Sequence, residues 1–309
     1  MTDKTIRIGT RGSKLALIQA ETVKSQLLQV HPGLSVEIEV ISTRGDRSQR
    51  ENIPLSEIGG KGLFTLEIEE KLNSGEIDMA VHSAKDMPTR LPEGLGLVCY
   101  LEREDVSDAF ISEKAETFDD LSNGAVIGSA SLRRRALMWR KRPDLEMIMF
   151  RGNVDTRLQK IKDGVAEATL LASAGLKRLG LENAITSRLS LQDFPPAPGQ
   201  GAITIEAHTD RAEILELLDP LNHRQTEIAL NAERSFLEVL DGSCRTPIGA
   251  HATIDGENLR LHGIILKPDG SESHEDVLEG TTGDAQAIGQ EMGRLLKDRA
   301  GRHFFEGWD

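Results

Sequence analysis

Lys85 and Asp86 occupy a place where chemistry is usually done. The run Ile77-Asp78-Met79-Ala80-Val81-His82 reads as a buried strand, and Ser83, Ala84, Lys85, Asp86, Met87 and Pro88 follow it directly. In open α/β sheets ligands bind just beyond the carboxyl ends of strands, so a hydroxyl, a cation and a carboxylate here form a candidate site. Pro88 biases Met87 toward extended backbone, which stiffens the loop and stops a helix from starting. His82 reads as a packed strand-end histidine. Cys244 is the second anomaly. It lies in the turn Asp241-Gly242-Ser243-Cys244-Arg245-Thr246-Pro247, where Arg245 favours the thiolate. That window suits either a surface cysteine without a role or a nucleophile or covalent attachment point.

Three further places share one design: Arg11 with Ser13, Ser129 with Ser131, and Arg151 with Asn153. Each is a strand end feeding a helix whose first turn is capped by a hydroxyl or amide. Free N–H groups and the positive end of the helix dipole make such ends anion sites. Arg133, Arg134, Arg135, Arg140, Lys141, Arg142, Arg151 and Arg157 crowd one region of an otherwise acidic chain. A solvated helix face explains part of this cluster. The remainder points to carboxylates or phosphates, with Arg133, Arg134, Arg151 and Arg157 as bidentate partners.

The elements that must position these groups follow from periodicity. A short strand at Ile6 and Ile8 leads to a helix with Ala16, Ala20, Val23 and Leu27 at helical spacing. Val36, Ile38 and Val40 alternate with Glu37 and Glu39, as in a half-exposed strand. The stretch from Ser42 to Gly62 is polar and rich in glycine, a functional or flexible loop. A helix from about Phe64 to Asn73 precedes the strand at Ile77, and Leu95 to Leu101 is another strand with Cys99 buried in it. A second βα series starts near Asp108, with strands at 125–128, 146–150 and 168–172. Pro195, Pro196, Ala197, Pro198 and Gly199 read as a linker, and Ala202 to Ala207 as one more strand. From Gln225 on, helix, strands and a final helix suggest a small α+β domain.

A chain of 309 residues is too long for one core and predicts two or three domains. With 50 acidic against 37 basic residues and a formal net charge of −13, it does not have the basic footprint of a nucleic-acid binder. Hydrophobic residues make up 38% and no apolar run is long enough to span a bilayer. The N-terminus lacks the apolar segment of a signal peptide, so a cytoplasmic location is expected. The two cysteines have no metal-ligand spacing, and no metal site is expected.

Taken together, the motifs resemble the porphobilinogen deaminase (hydroxymethylbilane synthase) family over nearly the whole chain. The resemblance rests on Thr10-Arg11-Gly12-Ser13, Thr43-Arg44-Gly45-Asp46, Gly59-Gly60-Lys61-Gly62-Leu63-Phe64, Val81-His82-Ser83-Ala84-Lys85-Asp86 and Ser131-Leu132-Arg133-Arg134. It extends through Arg151-Gly152-Asn153-Val154-Asp155-Thr156-Arg157, Ala174-Gly175-Leu176-Lys177-Arg178-Leu179-Gly180, Pro198-Gly199-Gln200-Gly201-Ala202 and Gly242-Ser243-Cys244.

The resemblance implies two periplasmic-binding-protein-like (type II) α/β domains facing a cleft, plus a small C-terminal α+β domain. Their expected limits are 1–101 with 202–219, 102–201, and 220–309. The implied reaction joins porphobilinogen units head to tail with loss of ammonia, giving hydroxymethylbilane. It is primed by a dipyrromethane cofactor held through a thioether to Cys244. Asp86 is the implied catalytic carboxylate. Cofactor contacts are implied for Ser13, Asp46, Ser83, Lys85, Ser129, Ser131, Arg133, Arg134 and Arg151. Substrate contacts are implied for Arg11, Arg151, Arg157, Arg178, Lys61, Phe64 and Gln200. Ala130, Arg135, Leu66 and Glu57 depart from residues common in the family at those positions. A monomer without nucleic-acid or membrane partners is expected. The competing class is a non-catalytic protein that clamps a small anion between paired domains.

Overall fold

The structure, a computed structural model, describes residues 5–45, 65–242, 246–306 and 308. The chain opens with β1 (Thr5–Arg11), α1 (Lys14–Val30), β2 (Ser35–Ile41), α2 (Leu66–Ser74), β3 (Met79–Ser83) and β4 (Leu95–Tyr100). It continues through β5 (Asp108–Ser112), β6 (Val126–Gly128), α3 (Leu132–Lys141) and β7 (Glu146–Ile148). Next come α4 (Val154–Lys162), β8 (Ala168–Ala172), α5 (Ser173–Arg178) and β9 (Ser187–Arg188). The last part holds β10 (Ile203–His208), α6 (Ala212–Leu218), α7 (Arg224–Val239), β11 (Ile248–Asp255), β12 (Asn258–Leu266), β13 (Ser273–Thr281) and α8 (Ala285–Ala300).

Two compact units result, one of residues 1–103 and 202–227, the other of 104–201 and 228–309. The first is built on a five-stranded sheet in the order β2-β1-β3-β10-β4. β1 runs parallel to β2 and β3, whereas β10 is antiparallel to both β3 and β4. The return of the chain through residues 202–208 therefore fills a gap inside the first sheet. Ala20, Val23 and Leu27 of α1 are fully buried against Ile6, Ile8, Met79 and Ile205, as their helical spacing predicts. β2 departs from its predicted alternation. Val36 and Ile41 are buried, but Val40 is 57% exposed, on the edge strand beside Gly12.

The second unit repeats the pattern with the order β7-β6-β8-β5-β9, β5 being antiparallel to its neighbours. Gly128, at the end of β6, lies against the face of Phe150, and any Cβ there would overlap the ring. This contact brings the β6–α3 turn close over the next strand end. A three-stranded antiparallel sheet, β11-β12-β13, with α7 and α8 makes the small α+β domain. It packs into the same unit as the second sheet. Ile264 and Leu266 of β12 share a core with Phe110, Phe118 and Phe194, and Arg140 of α3 pairs with Glu275 of β13 at 2.8 Å.

Pro195–Gly199 has no regular structure, as five residues with three prolines demand, yet it is tied down. Pro195 and Pro196 carbonyls accept from Arg133 and from the Ala250 N–H, and the Gly199 N–H donates to Glu233 at 2.7 Å. At Gly201 φ is +89°, and a Cβ would lie 2.5 Å from the Glu104 carbonyl oxygen. Only glycine suits that position.

Candidate active site

Around the end of β3 the backbone does what Pro88 requires. Ala84–Asp86 forms a single 3-10 turn, and Met87 is extended at φ −79°, ψ 137°. The Ala84 N–H donates to the Ala202 carbonyl at 3.0 Å, which fastens the turn to the strand entering from the linker. Ser83 exchanges hydrogen bonds with the buried amide of Gln19, whose Nε2 lies 2.9 Å from the hydroxyl. Ser13 caps α1, its hydroxyl accepting from the Ala16 N–H at 3.3 Å. A pocket forms here, lined by Arg11, Ser13, Gln19, Thr65, His82, Ser83 and Asp86 among others. Asp86 is exposed and Lys85 half-buried. Four predicted residues, Arg11, Ser13, Ser83 and Asp86, thus meet at one site.

Beneath the pocket lies a buried acid cluster. His82 Nε2 is 3.1 Å from Oε2 of Glu206, a residue of β10 with no solvent exposure. Glu69 of α2 is also buried, and its carboxyl is raised above the usual range. Burial is the main cause, and the nearby Glu206 adds to it while Thr65 and His82 oppose it. Oε1 of Glu206, Oε1 of Glu69 and Oγ1 of Thr65 make no hydrogen bond of good geometry.

In the second unit the cations concentrate at the start of α3. Ser131 caps it, accepting from the Arg134 N–H at 3.4 Å, and the Ser129 hydroxyl accepts from the Ser131 N–H at 3.3 Å. Arg133 and Arg134 are 3% and 6% exposed, too deep for a solvated face. Arg133 donates to Asp108 Oδ2 at 2.8 Å and to the Pro195 carbonyl at 2.7 Å. Arg134 donates through Nε and Nη2 to Asp108 Oδ1 at 3.1 and 2.7 Å, and through Nη1 to the Leu170 carbonyl. Asp108 is completely buried. Burial alone would raise its pKa, but the two guanidiniums together overcome this and hold it well below the usual carboxylate range. The Arg133 Nε–H has no partner.

Arg157 donates to the Gly152 carbonyl at 2.9 Å; burial, helped by the like charge of Arg134, pulls its pKa down to about 10. Arg178 donates to the Gly201 carbonyl at 2.6 Å. Arg151 is half-buried at the turn before α4, where Asn153 caps the helix by accepting from the Thr156 N–H at 2.8 Å. Gln200 is 1% exposed, its amide N–H groups 2.8 Å from the Val106 carbonyl and 2.9 Å from Asp108 Oδ1. Of the rest of the cationic run, Arg140, Lys141 and Arg142 pair at the surface with Glu275, Asp193 and Asp144, and Arg135 lies over the Trp139 ring at 4.9 Å.

Asp46, Lys61, Phe64 and Cys244 lie outside the described residues. Sequence reasoning overlooked Gln19, Thr65, Glu69, Asp108 and Glu206. A signal existed for two of them: Glu206 is a lone acid within the apolar strand Ile203–Ala207, and Asp108 heads the apolar run Ala109–Ile111. An isolated acid in a buried strand needs a partner. Among the described residues there is no cluster of His, Cys, Asp and Glu suited to a metal ion.

Each unit thus holds an α/β sheet, the first with an exposed carboxylate at a strand end and the second with a set of buried guanidiniums. The porphobilinogen deaminase "dipyromethane cofactor binding domain" matches residues 6–216, and the porphobilinogen deaminase C-terminal domain matches 228–298. A porphobilinogen deaminase of Nitrobacter hamburgensis is 50% identical over 306 residues, 98% of this chain and 96% of that one. The chain belongs to the porphobilinogen deaminase family. It is a transferase that condenses porphobilinogen into hydroxymethylbilane with release of ammonia, on a dipyrromethane cofactor. Among solved structures, the methionine-binding protein MetQ is 14% identical, covering 71% of this chain and 90% of that one at a TM-score of 0.45. A periplasmic substrate-binding protein of an ABC transporter from Coxiella burnetii is 14% identical, covering 70% and 91% at a TM-score of 0.43.

Proposed function

We propose that Asp86 is the catalytic carboxylate of this condensation. The observation that carries the proposal is its position, on the stiff turn after β3 in the pocket that also holds Arg11, Ser13 and Ser83. Loss of ammonia from porphobilinogen leaves a cationic pyrrole, and a fixed carboxylate beside the pyrrole N–H groups stabilises that charge as it develops. Ser13 and Ser83 offer hydroxyl donors to carboxylates in the same pocket, Lys85 offers a cation, and Arg11 a bidentate partner.

The donor set of the second unit suits a polyacidic cofactor. Asp108 supplies one buried negative charge against the two of Arg133 and Arg134, and Arg157 adds a third cation nearby. The unpartnered Arg133 Nε–H points to an acceptor still to be supplied. Dipyrromethane, when bound, provides the primer on which the product is built. Arg133, Arg134, Arg151, Ser129 and Ser131 would hold its acetate and propionate groups. Arg157 and Arg178 would offset the charge added with each new ring. Cys244 would anchor the cofactor through a thioether, Asp46 would help position it, and Lys61 and Phe64 would contact substrate. We further propose a cytoplasmic monomer. Among the described residues no helix is long and apolar enough to cross a membrane.

Intact mass and turnover test this together. Asp86→Asn should keep the dipyrromethane mass adduct and the fold while turnover falls by about a hundredfold or more. Near-normal turnover would remove Asp86 from the mechanism. Cys244→Ser should lack the adduct; an adduct that persists would place the anchor elsewhere.

A further inference from the structure

We infer that Asp108 and Gln200 are positioning residues for the arginine pair, Gln200 acting on the Asp108 carboxylate and not on substrate. The inference rests on the reading of Arg133 and Arg134 as carboxylate partners.

Counting hydrogen bonds around Asp108 makes the case. A carboxylate offers about four lone-pair sites. Oδ1 takes Arg134 Nε at 3.1 Å, Arg134 Nη2 at 2.7 Å and Gln200 Nε2 at 2.9 Å, and Oδ2 takes Arg133 Nη2 at 2.8 Å. Oδ1 thus gathers three donors and Oδ2 one, so the Gln200 amide shares its oxygen with the Arg134 fork at a residue without solvent exposure. Gln200 is fixed equally well. Its second amide N–H goes to the Val106 carbonyl at 2.8 Å. Since both neighbours are pure acceptors, the nitrogen end of the amide must face them. Both N–H groups are therefore consumed, and neither remains for a substrate carboxylate.

The charge of the fourth donor matters as much as its geometry. Had a third cation closed the shell around Asp108, the arginine pair would have gained a repulsive neighbour. Had an acid stood there, the excess positive charge would have been cancelled. A neutral amide holds the carboxylate oxygen that Arg134 grips and leaves Arg133 and Arg134 with one net positive charge between them and Asp108. That excess, with the unpartnered Arg133 Nε–H, is what an anionic group can use. The backbone on either side of Gln200 is also pinned, at Gly199 by Glu233 and at Gly201 by Arg178. The amide thus reaches Asp108 from a fixed base.

Gln200→Leu preserves bulk and deletes only the amide. Full-length protein incubated with porphobilinogen should then acquire the dipyrromethane mass adduct more slowly, with kcat reduced about tenfold and KM for porphobilinogen changed less than about twofold. A KM raised about tenfold at unchanged kcat would show that Gln200 touches substrate and overturn the inference. Unchanged adduct formation and kinetics would overturn it too. Asp108→Asn should lose the adduct; because two guanidiniums are then left without a counter-charge, its fold is checked by circular dichroism. Arg134→Leu separates the two layers of argument. If it keeps the adduct and turnover, the reading of the arginines fails. If it loses both while Gln200→Leu is normal, only the positioning inference fails.

Discussion

The two central antiparallel strands, β10 in the first sheet and β5 in the second, occupy the same slot in the same strand order, and each carries one fully buried acid. Their surroundings are opposite. Asp108 on β5 receives four donors from three side chains, two of them cationic. Among the described residues Glu206 on β10 has one hydrogen-bond partner, His82, at 3.1 Å, and it lies near a second acid, Glu69, whose pKa is raised by burial first and by the neighbouring Glu206 second. One sheet therefore holds a buried excess of positive charge and the other a buried excess of acid. Identical topology supplies a slot; the residues facing it decide the sign of the charge stored there. Under the proposed function, the sheet with the acid presents Asp86 to cationic intermediates and the sheet with the guanidiniums takes carboxylates.

The largest break in this comparison should come from Asp108→Asn. Removing the counter-charge from two buried arginines should cost about 3–5 kcal/mol in urea unfolding. Its pH dependence carries a sign. Asp108 is depressed in the folded state, so its contribution is fully present above the ordinary Asp value and is lost as pH falls through the lower folded one. The wild type should therefore lose stability toward acid in that window more steeply than the variant.

Glu206→Gln should do less, about 1–2 kcal/mol, because an amide still reaches His82 and one unpartnered oxygen is replaced. A loss as large as that of Asp108→Asn would show the two acids to be equally committed. The smallest effect, with the reverse sign, belongs to Glu69→Gln. Its folded-state pKa is raised, so the folded protein binds more protons and stability falls as pH rises from the usual Glu value through the raised one. The variant should be more stable than wild type at neutral pH and lose that advantage as pH falls to the usual Glu value. No gain at neutral pH would mean that Glu69 is not penalised by burial.

Local rules made part of this site legible in the sequence. Ser13, Ser131 and Asn153 cap helices because a capping side chain meets an N–H two or three residues away. The placement of Asp86 was legible too, since a strand, a turn and a proline fix it locally, whereas its role came only with the family resemblance. The buried acids were not. Asp108 finds Arg133 and Arg134 across 25 and 26 residues, Gln200 across 92, and His82 finds Glu206 across 124. Pairing at that range is set by strand order, which short-range periodicity does not contain. The cationic cluster was read correctly as contrary to the overall charge, but its members divide. Arg133 and Arg134 turn inward to Asp108, while Arg140, Lys141 and Arg142 pair at the surface. His82, expected to be packed, is buried and also hydrogen-bonded to an acid.

The insertion of β10 between β3 and β4 also sets a timetable for synthesis. β4 pairs in its sheet with β10 alone, and that partner lies about a hundred residues further along the chain. At roughly 5–20 residues per second, β4 waits about 5–20 s on the ribosome for its neighbour. Throughout that interval the amino-terminal lobe is a sheet with a missing plank, its apolar edges open to chaperones or to other nascent chains. A truncation ending before Ile203 would leave it in that state permanently.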